Sequence, residues 1–275
     1  MQEEEFSPAY ALPAGAPLIV PADSAYALQS ALRTSARVIS YGTLESAHVR
    51  VSAIGFQETR GKVIGMAAKV SAGGEKGKIE VRGSVGEVQM YPAAAALATA
   101  QAFQIPLTDA LTSLSTYTPP AGRGRLLSGK NDSVIIDDSY NASPVAVKEA
   151  LATLKAFPHA ARRIAVLGDM LELGRYSVVE HARIAEFAAD SADVIVAVGI
   201  RSRAYDAASN RANVMLFDNA RTAAEALKDF VAQGDVILVK GSQSMRMERI
   251  VKALLANPAD ASRLVRQEER LEKKM

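Results

Sequence analysis

Ser133-Val-Ile-Ile-Asp-Asp138 is followed by Arg163-Ile-Ala-Val-Leu-Gly168, Asp193-Val-Ile-Val-Ala-Val-Gly199 and Asp235-Val-Ile-Leu-Val-Lys240. Each run is short, unbroken and rich in β-branched residues. A strand covered on one face alternates apolar with polar side chains, whereas a strand covered on both faces does not. These runs therefore read as parallel strands in the middle of a sheet. Between them the apolar spacing changes to that of a helix. Residues 144–157 place Val147, Ala150, Leu151 and Leu154 on one face, and residues 177–189 turn Ile184 and Phe187 inward. A short helix near 201–209, a strand at 213–217 and helices at 220–232 and 245–255 complete the pattern. Strand–helix alternation at this spacing predicts a doubly wound α/β sheet. Ligands of such sheets sit beyond the carboxyl ends of the strands. Those ends carry Asp137-Asp138, Gly168-Asp169, Gly199 and Lys240-Gly241-Ser242, so polar groups gather on one rim.

The first 120 residues read differently. Strands are expected at 18–20 and 36–40 around a helix at 24–32. Antiparallel strands are expected at 49–56, 63–70 and 77–81, with Gly73-Gly74 as a turn, and helices at 92–103 and 108–115. Thr118-Pro-Pro-Ala-Gly122 reads as the linker, because tandem proline stops regular structure. The expected division is thus 1–120 and 121–275. The mixed-charge tail from Ser262 reads as a solvated helix or frayed end.

Composition excludes several classes. Of 275 residues, 49% are hydrophobic and 23% charged, with a net charge of +2, an ordinary globular balance without a basic platform for nucleic acid. Cysteine is absent, which excludes disulfides, thiolate metal sites and a cysteine nucleophile and fits a cytoplasmic location. The three histidines, His48, His159 and His181, lack metal-ligand spacing. No apolar run is long enough to span a membrane, and Met1-Gln2-Glu3-Glu4-Glu5 has the wrong charge for a secretory signal.

Five stretches invite a chemical reading beside a bland one. Gly124-Arg-Leu-Leu-Ser-Gly129-Lys130-Asn131 approaches a phosphate-loop pattern, but Asn131 replaces the magnesium-binding hydroxyl and a strand follows where a helix is needed. It reads as a hairpin turn. In Asp137-Asp138-Ser-Tyr-Asn-Ala-Ser-Pro144, Ser143 and Pro144 are explained by helix capping. Asp137, Asp138, Tyr140 and Asn141 are left over, and a carboxylate there suits a ribose hydroxyl or an ammonium. Gly168-Asp-Met-Leu-Glu-Leu-Gly174 offers Asp169 and Glu172 on a loop, or simply a turn. Lys240-Gly241-Ser242-Gln243-Ser244 sets a lysine and hydroxyls before a helix whose N–H groups favour an anion. A plain cap explains Ser244 but not Lys240. Gly122-Arg123-Gly124-Arg125 could grip phosphate or be solvated, and His181 reads as a packing or surface histidine.

Together and in this order, these stretches resemble the Mur ligase family. Gly122-Arg123, Asp137 to Pro144, Gly168 to Gly174 with His181, and Val239-Lys-Gly-Ser-Gln-Ser-Met-Arg-Met-Glu248 carry the likeness. It is strong over residues 120–256 and weaker over 10–120. The resemblance implies an ATP-dependent amide ligase of peptidoglycan precursor synthesis, in which ATP activates a carboxylate as an acyl phosphate that an incoming amine captures. Its substrates would be a UDP-MurNAc-peptide and D-Ala-D-Ala, with ATP and Mg as cosubstrate and metal. It implies a Rossmann-like C-terminal domain after an incomplete mixed α/β central-domain remnant. By motif position Arg123, Asp138, Tyr140 and Asn141 would serve the nucleotide, and Asp169, Glu172, Lys240 and Ser242 the dipeptide. The departures are as specific. The sequence holds no counterpart of the family's N-terminal domain, phosphate loop, magnesium-binding acid or modified lysine. Its adenine stretch falls at Val88-Gln-Met-Tyr-Pro92 without the landmark residues. One lost preorganised donor costs about 2.7–4 kcal/mol of barrier, so several lost together imply inactivity of this polypeptide alone. It would then be an incomplete ligase, one half of a split enzyme with a separate chain carrying the phosphate loop, or a non-catalytic nucleotide- or dipeptide-binding module. An unrelated dinucleotide binder is disfavoured, because no Gly-x-Gly-x-x-Gly follows a strand.

Overall fold

The computed structural model describes residues 4, 6–208 and 210–266. The chain divides into two compact units, Met1–Arg82 with Glu87–Thr118, and Gly83–Gly86 with Pro119–Met275. The loop Gly83–Gly86 joins the second unit through hydrogen bonds. Ser84 Oγ donates to the carbonyls of Arg123 and Gly124, both at 2.9 Å, and the Val85 N–H to Gly124 O at 2.8 Å.

In the first unit β1 (Pro17–Pro21), α1 (Ala25–Ala31) and β2 (Arg37–Gly42) form a parallel crossover, capped where Ser24 Oγ accepts the Ala27 N–H at 3.2 Å. Strands β3 (Val49–Thr59), β4 (Lys62–Ala72) and β5 (Glu75–Arg82) follow as an antiparallel meander, giving a sheet of order β1-β2-β3-β4-β5. Helices α2 (Met90–Ala102) and α3 (Leu107–Leu114) complete the unit. Ala93, Ala94, Leu97 and Ala98 are buried on α2, and their small side chains let its backbone lie close to the sheet. Every expected element is present, with the antiparallel strands longer than their apolar runs. Leu32 and Phe103 remain 82% and 69% exposed.

The second unit contains β6 (Arg125–Gly129), β7 (Ser133–Asp138), α4 (Pro144–Ala156), β8 (Arg162–Gly168), α5 (Ser177–Ser191) and β9 (Val194–Val198). It continues with β10 (Asn213–Phe217), α6 (Ala220–Phe230), β11 (Asp235–Lys240) and α7 (Glu248–Leu254). Sheet order is β10-β9-β8-β11-β7-β6, parallel throughout except at β6. The chain steps from β7 past the place of β11 to β8, then outward to β10, and finally returns to insert β11. Right-handed crossovers therefore put α4 and α5 on one face and α6 and α7 on the other. One core joins Ile164, Val166, Val196 and Ile237 to Ala223, Leu227, Ile250 and Leu254. Val147, Leu151, Leu154 and Ile184 are buried on the opposite helices. The α/β class and the Rossmann-like second sheet stand as expected.

Four local readings are refined. The phosphate-loop near-match is β6 and its turn, with Asn131 and Asp132 at φ 55° and 53°, so the hairpin reading holds and one strand is added. The helix expected from 245 begins only at Glu248, because Arg246 is left-handed (φ 55°) and interrupts it after a 3₁₀ turn at Gln243–Met245. Ser244 thus caps no helix, and α7 is too short to offer an anion site. The region near 201–209 is a 3₁₀ helix, Arg201–Ala208. Of the tail, Leu264 is buried and Arg266 is hydrogen-bonded, so neither is frayed; residues 267–275 lie outside the described residues.

Candidate active-site rim of the second unit

Asp138 and Lys240 end neighbouring parallel strands in direct register, so their side chains leave the same face. Lys240 Nζ lies 2.6 Å from Asp138 Oδ2 and donates to the Asn141 carbonyl at 3.0 Å. The Gly124 N–H donates to Asp138 Oδ1 at 3.2 Å. The lysine side chain is 4% exposed and the aspartate 20%. Burial pushes the Asp138 carboxyl above its ordinary value, against the opposing pull of Lys240, Gly124 and Arg123. Asp137 points to the other face, where Oδ1 accepts the Ser139 O–H at 2.6 Å. Its Oδ2 has no hydrogen-bond partner, and burial raises this carboxyl too.

The Arg123 guanidinium lies 4.0 Å over the Tyr140 ring. Beneath it the Tyr140 N–H donates to Gly122 O at 3.2 Å. Gly122 has φ +68°, and a Cβ there would stand 3.0 Å from Tyr140 N. Glycine therefore permits the approach that stacks cation on ring, a flat polar shelf suited to a planar or anionic group. The Asn141 side chain is exposed beside it.

On the next strands, Asp169 Oδ1 accepts the Ser202 N–H at 2.7 Å and its O–H at 2.8 Å, with Arg201 3.7 Å from Oδ2. Gly199 (φ +113°) faces this carboxylate so closely that a Cβ would meet it at 2.6 Å. Ser242 ties the loops after β8 and β11 together: its N–H donates to Asp169 O at 3.1 Å and its Oγ accepts the Leu171 N–H at 2.8 Å. Glu172 is exposed, with φ +64°. His181 is fully buried, accepts the Met170 N–H at Nε2 (3.0 Å) and sits 2.7 Å from Ser177 O through Nδ1. That pairing requires the proton on Nδ1, so a neutral ring shapes the loop, as the packing reading expected.

The strand order thus brings the four motif stretches to one rim. Within it Lys240 bonds Asp138 and Asn141, since β11 lies beside β7, while Ser242 bonds the loop of Asp169, since β11 also lies beside β8. Sequence reasoning missed a cavity of about 500 Å³ lined by Asn219, Ala220, Arg221, Ser244, Met245, Arg246 and Arg249. One of its members had a local signal, since Asn219 follows a strand and caps α6, its Oδ1 accepting the Arg221 and Thr222 N–H groups at 3.0 and 3.1 Å, but the signal does not show what Asn219 faces. A larger cavity, about 740 Å³ among Arg163, Asp193 and Arg211, lies at the opposite ends of the strands. Among the described residues no cluster of three His, Cys, Asp or Glu could hold a metal ion, and no helix is long and apolar enough to cross a membrane.

Residues 122–243 match the family model for the Mur ligase glutamate ligase domain. The chain is 31% identical over 180 residues to the UDP-N-acetylmuramoyl-tripeptide–D-alanyl-D-alanine ligase of Bacillus subtilis, covering 63% of this chain and 39% of that protein. It is 37% identical over 127 residues to the ligase of the same name from Escherichia coli, covering 45% and 27%. Of solved structures, MurF from Acinetobacter baumannii superposes with a TM-score of 0.74 at 25% identity over 91% of this chain and 52% of that one. MurF from Thermotoga maritima, solved in complex with ADP, shares the fold with a TM-score of 0.76 at 21% identity over 99% and 58%. The chain thus spans about two fifths or less of these curated relatives and just over half of the solved structures. Motifs, sequence and fold agree that the chain resembles the Mur ligase family, with the UDP-N-acetylmuramoyl-tripeptide–D-alanyl-D-alanine ligases among its relatives and the likeness anchored in residues 122–243.

Proposed function

We propose that the rim of the second unit is the nucleophile-holding half of an ATP-dependent amide ligase of peptidoglycan precursor synthesis. The reaction would join D-Ala-D-Ala to a UDP-MurNAc-peptide. ATP phosphorylates the peptide carboxylate, the dipeptide amine attacks the acyl carbon, phosphate leaves, and the amine gives up a proton. The observation that carries the reading is the convergence of Arg123, Asp138, Tyr140, Asn141, Asp169 and Lys240 on one strand-end rim beside an arginine-lined cavity. The Arg123–Tyr140 shelf suits the nucleotide. Arg221 and Arg246 suit the dipeptide carboxylate, because a planar fork matches a carboxylate. Asp169 and Glu172 bear the negative charge that suits its ammonium end. Lys240, neutralised by Asp138, fixes the two halves in one frame.

The metal does not fit this rim, and no step is assigned to it. Within these 275 residues the phosphate-loop-like stretch is the β6 hairpin, so on this reading they bind but do not ligate by themselves, and turnover would need a phosphate loop from sequence outside them. Calorimetry with D-Ala-D-Ala and with ADP tests the first claim: binding of both is expected, with at least a tenfold loss for the dipeptide in R221A. Binding of neither overturns the reading. Incubation with ATP, magnesium, UDP-MurNAc-tripeptide and D-Ala-D-Ala tests the second, and stoichiometric phosphate release would overturn it.

A further inference from the structure

Two of the rim's loops are the one after β7 with Ser139 to Asn141 and the one after β11 with Ser242 to Met245. A single guanidinium joins them. Arg266 donates through Nη1 to Gln243 O at 2.6 Å and through Nη2 to Ser139 O at 3.2 Å. Its Nε stands 3.5 Å from Glu248 Oε2, with the arginine side chain 18% exposed and the glutamate 3%. Arg246 holds the other oxygen of Glu248, so the carboxylate lies between two arginines at the foot of the β11 loop. The segment that delivers Arg266 is laid along β6. Ala256 N–H donates to Ser128 O at 3.0 Å, and Arg125 reaches Arg263 O at 3.3 Å.

We propose that Arg266 is a positioning residue, which fixes the separation between the loop bearing Tyr140 and Asn141 and the loop bearing Ser242. The chemistry is particular to arginine. Its planar fork presents diverging donors to two carbonyls while Nε faces a carboxylate. A lysine ammonium is a point charge that satisfies Glu248 without spanning both loops. That the two loops serve one reaction rests on the function proposed above, whereas the bridge between them does not.

The test is hydrogen exchange on the full 275-residue chain as wild type, R266A and R266K. Four amides report: Ser139 and Tyr140, bonded to Asp137 Oδ1 and Gly122 O, and Met245 and Arg246, bonded to Ser242 O and Gln243 O. Both variants are expected to speed exchange in both pairs by about tenfold or more, while amides of β8 and β9 keep their wild-type rates. Should R266A fail to fold, R266K still decides, since it keeps the charge facing Glu248. Restored protection in R266K, or acceleration confined to one loop, overturns the proposal. A parallel titration with ADP and D-Ala-D-Ala separates the two readings: a wild type that binds neither loses the proposed function, and the exchange result still judges the bridge.

Discussion

Each unit ends a parallel strand or its following turn with an aspartate in a hydrogen-bonded cluster, and the two carboxyls are driven in opposite directions. In the second unit Asp138 is largely buried against Lys240, and burial raises its carboxyl despite that ammonium. In the first unit Asp23 is exposed. Its Oδ2 accepts the Thr43 N–H and the Tyr91 O–H, each at 2.9 Å, and Oδ1 the Thr43 O–H at 2.9 Å. Burial pulls Asp23 up, yet those hydrogen bonds together hold it below its ordinary value. Neutral donors in water stabilise a carboxylate more simply than a buried counter-ion does, because both members of a buried pair must leave solvent. The second arrangement costs stability and supplies a fixed charge pair at a strand-end rim. The first ties a loop.

The largest expected effect breaks the buried pair. K240A leaves Asp138 without its ammonium and should cost about 3–5 kcal/mol in urea denaturation, whereas the double variant K240M/D138L should recover most of it. A single variant losing under 1 kcal/mol would show that the pair is solvated and erase the contrast. Next, G199A places a methyl against the Asp169 carboxylate at a left-handed backbone position. It should cost about 1–3 kcal/mol by the same measurement, and a neutral result would mean that Asp169 readily moves away. Smallest is Y91F, which removes one donor from Asp23. A loss of about 0.5–1.5 kcal/mol is expected, with the Asp23 carboxyl rising toward its ordinary value in an NMR titration. An unchanged titration would leave the Thr43 and Leu44 donors as the cause.

Acidity sharpens the comparison through its sign. Asp137 and Asp138 are raised in the folded chain, so their contribution is fully present below the unfolded value, about 3.9, and is lost as pH rises through the folded value. Asp23 is lowered, so its contribution is present above the unfolded value and is lost as pH falls through the folded one. Exchange protection, corrected for intrinsic rate, should therefore fall with rising pH in β7 and with falling pH in β2. D137N should flatten the first slope. Parallel slopes in the two units would contradict the assignment.

What could be read from the residues follows the same division. Strands β7, β8, β9 and β11 were legible almost to the residue, because continuous β-branched runs leave no other way to bury both faces. Strand β6 was not: Arg125, Ser128 and Gly129 look like a turn, and its pairing to β7 depends on a partner that local pattern does not show. The rim was legible as a set, since strand ends must gather. Its internal partition was not. Asp137 and Asp138 are neighbours in sequence and face opposite sides of the sheet, and Lys240 finds Asp138 only because β11 inserts beside β7. The break at Arg246 has no sequence cue comparable to glycine or proline. The arginine cavity joins residues from the start of α6 to the loop after β11, a proximity set by topology alone.

The insertion of β11 also bears on the order of assembly. The last-made strand of this sheet holds a central place, flanked by β8 and β7, which are made long before it. Until residue 240 has left the ribosome, β6–β7 and β8–β9–β10 are two fragments with exposed edges and no joint between them. Folding of this unit is therefore expected to wait until β11 has been made, and the nascent chain before that point is the form most open to aggregation and chaperone capture.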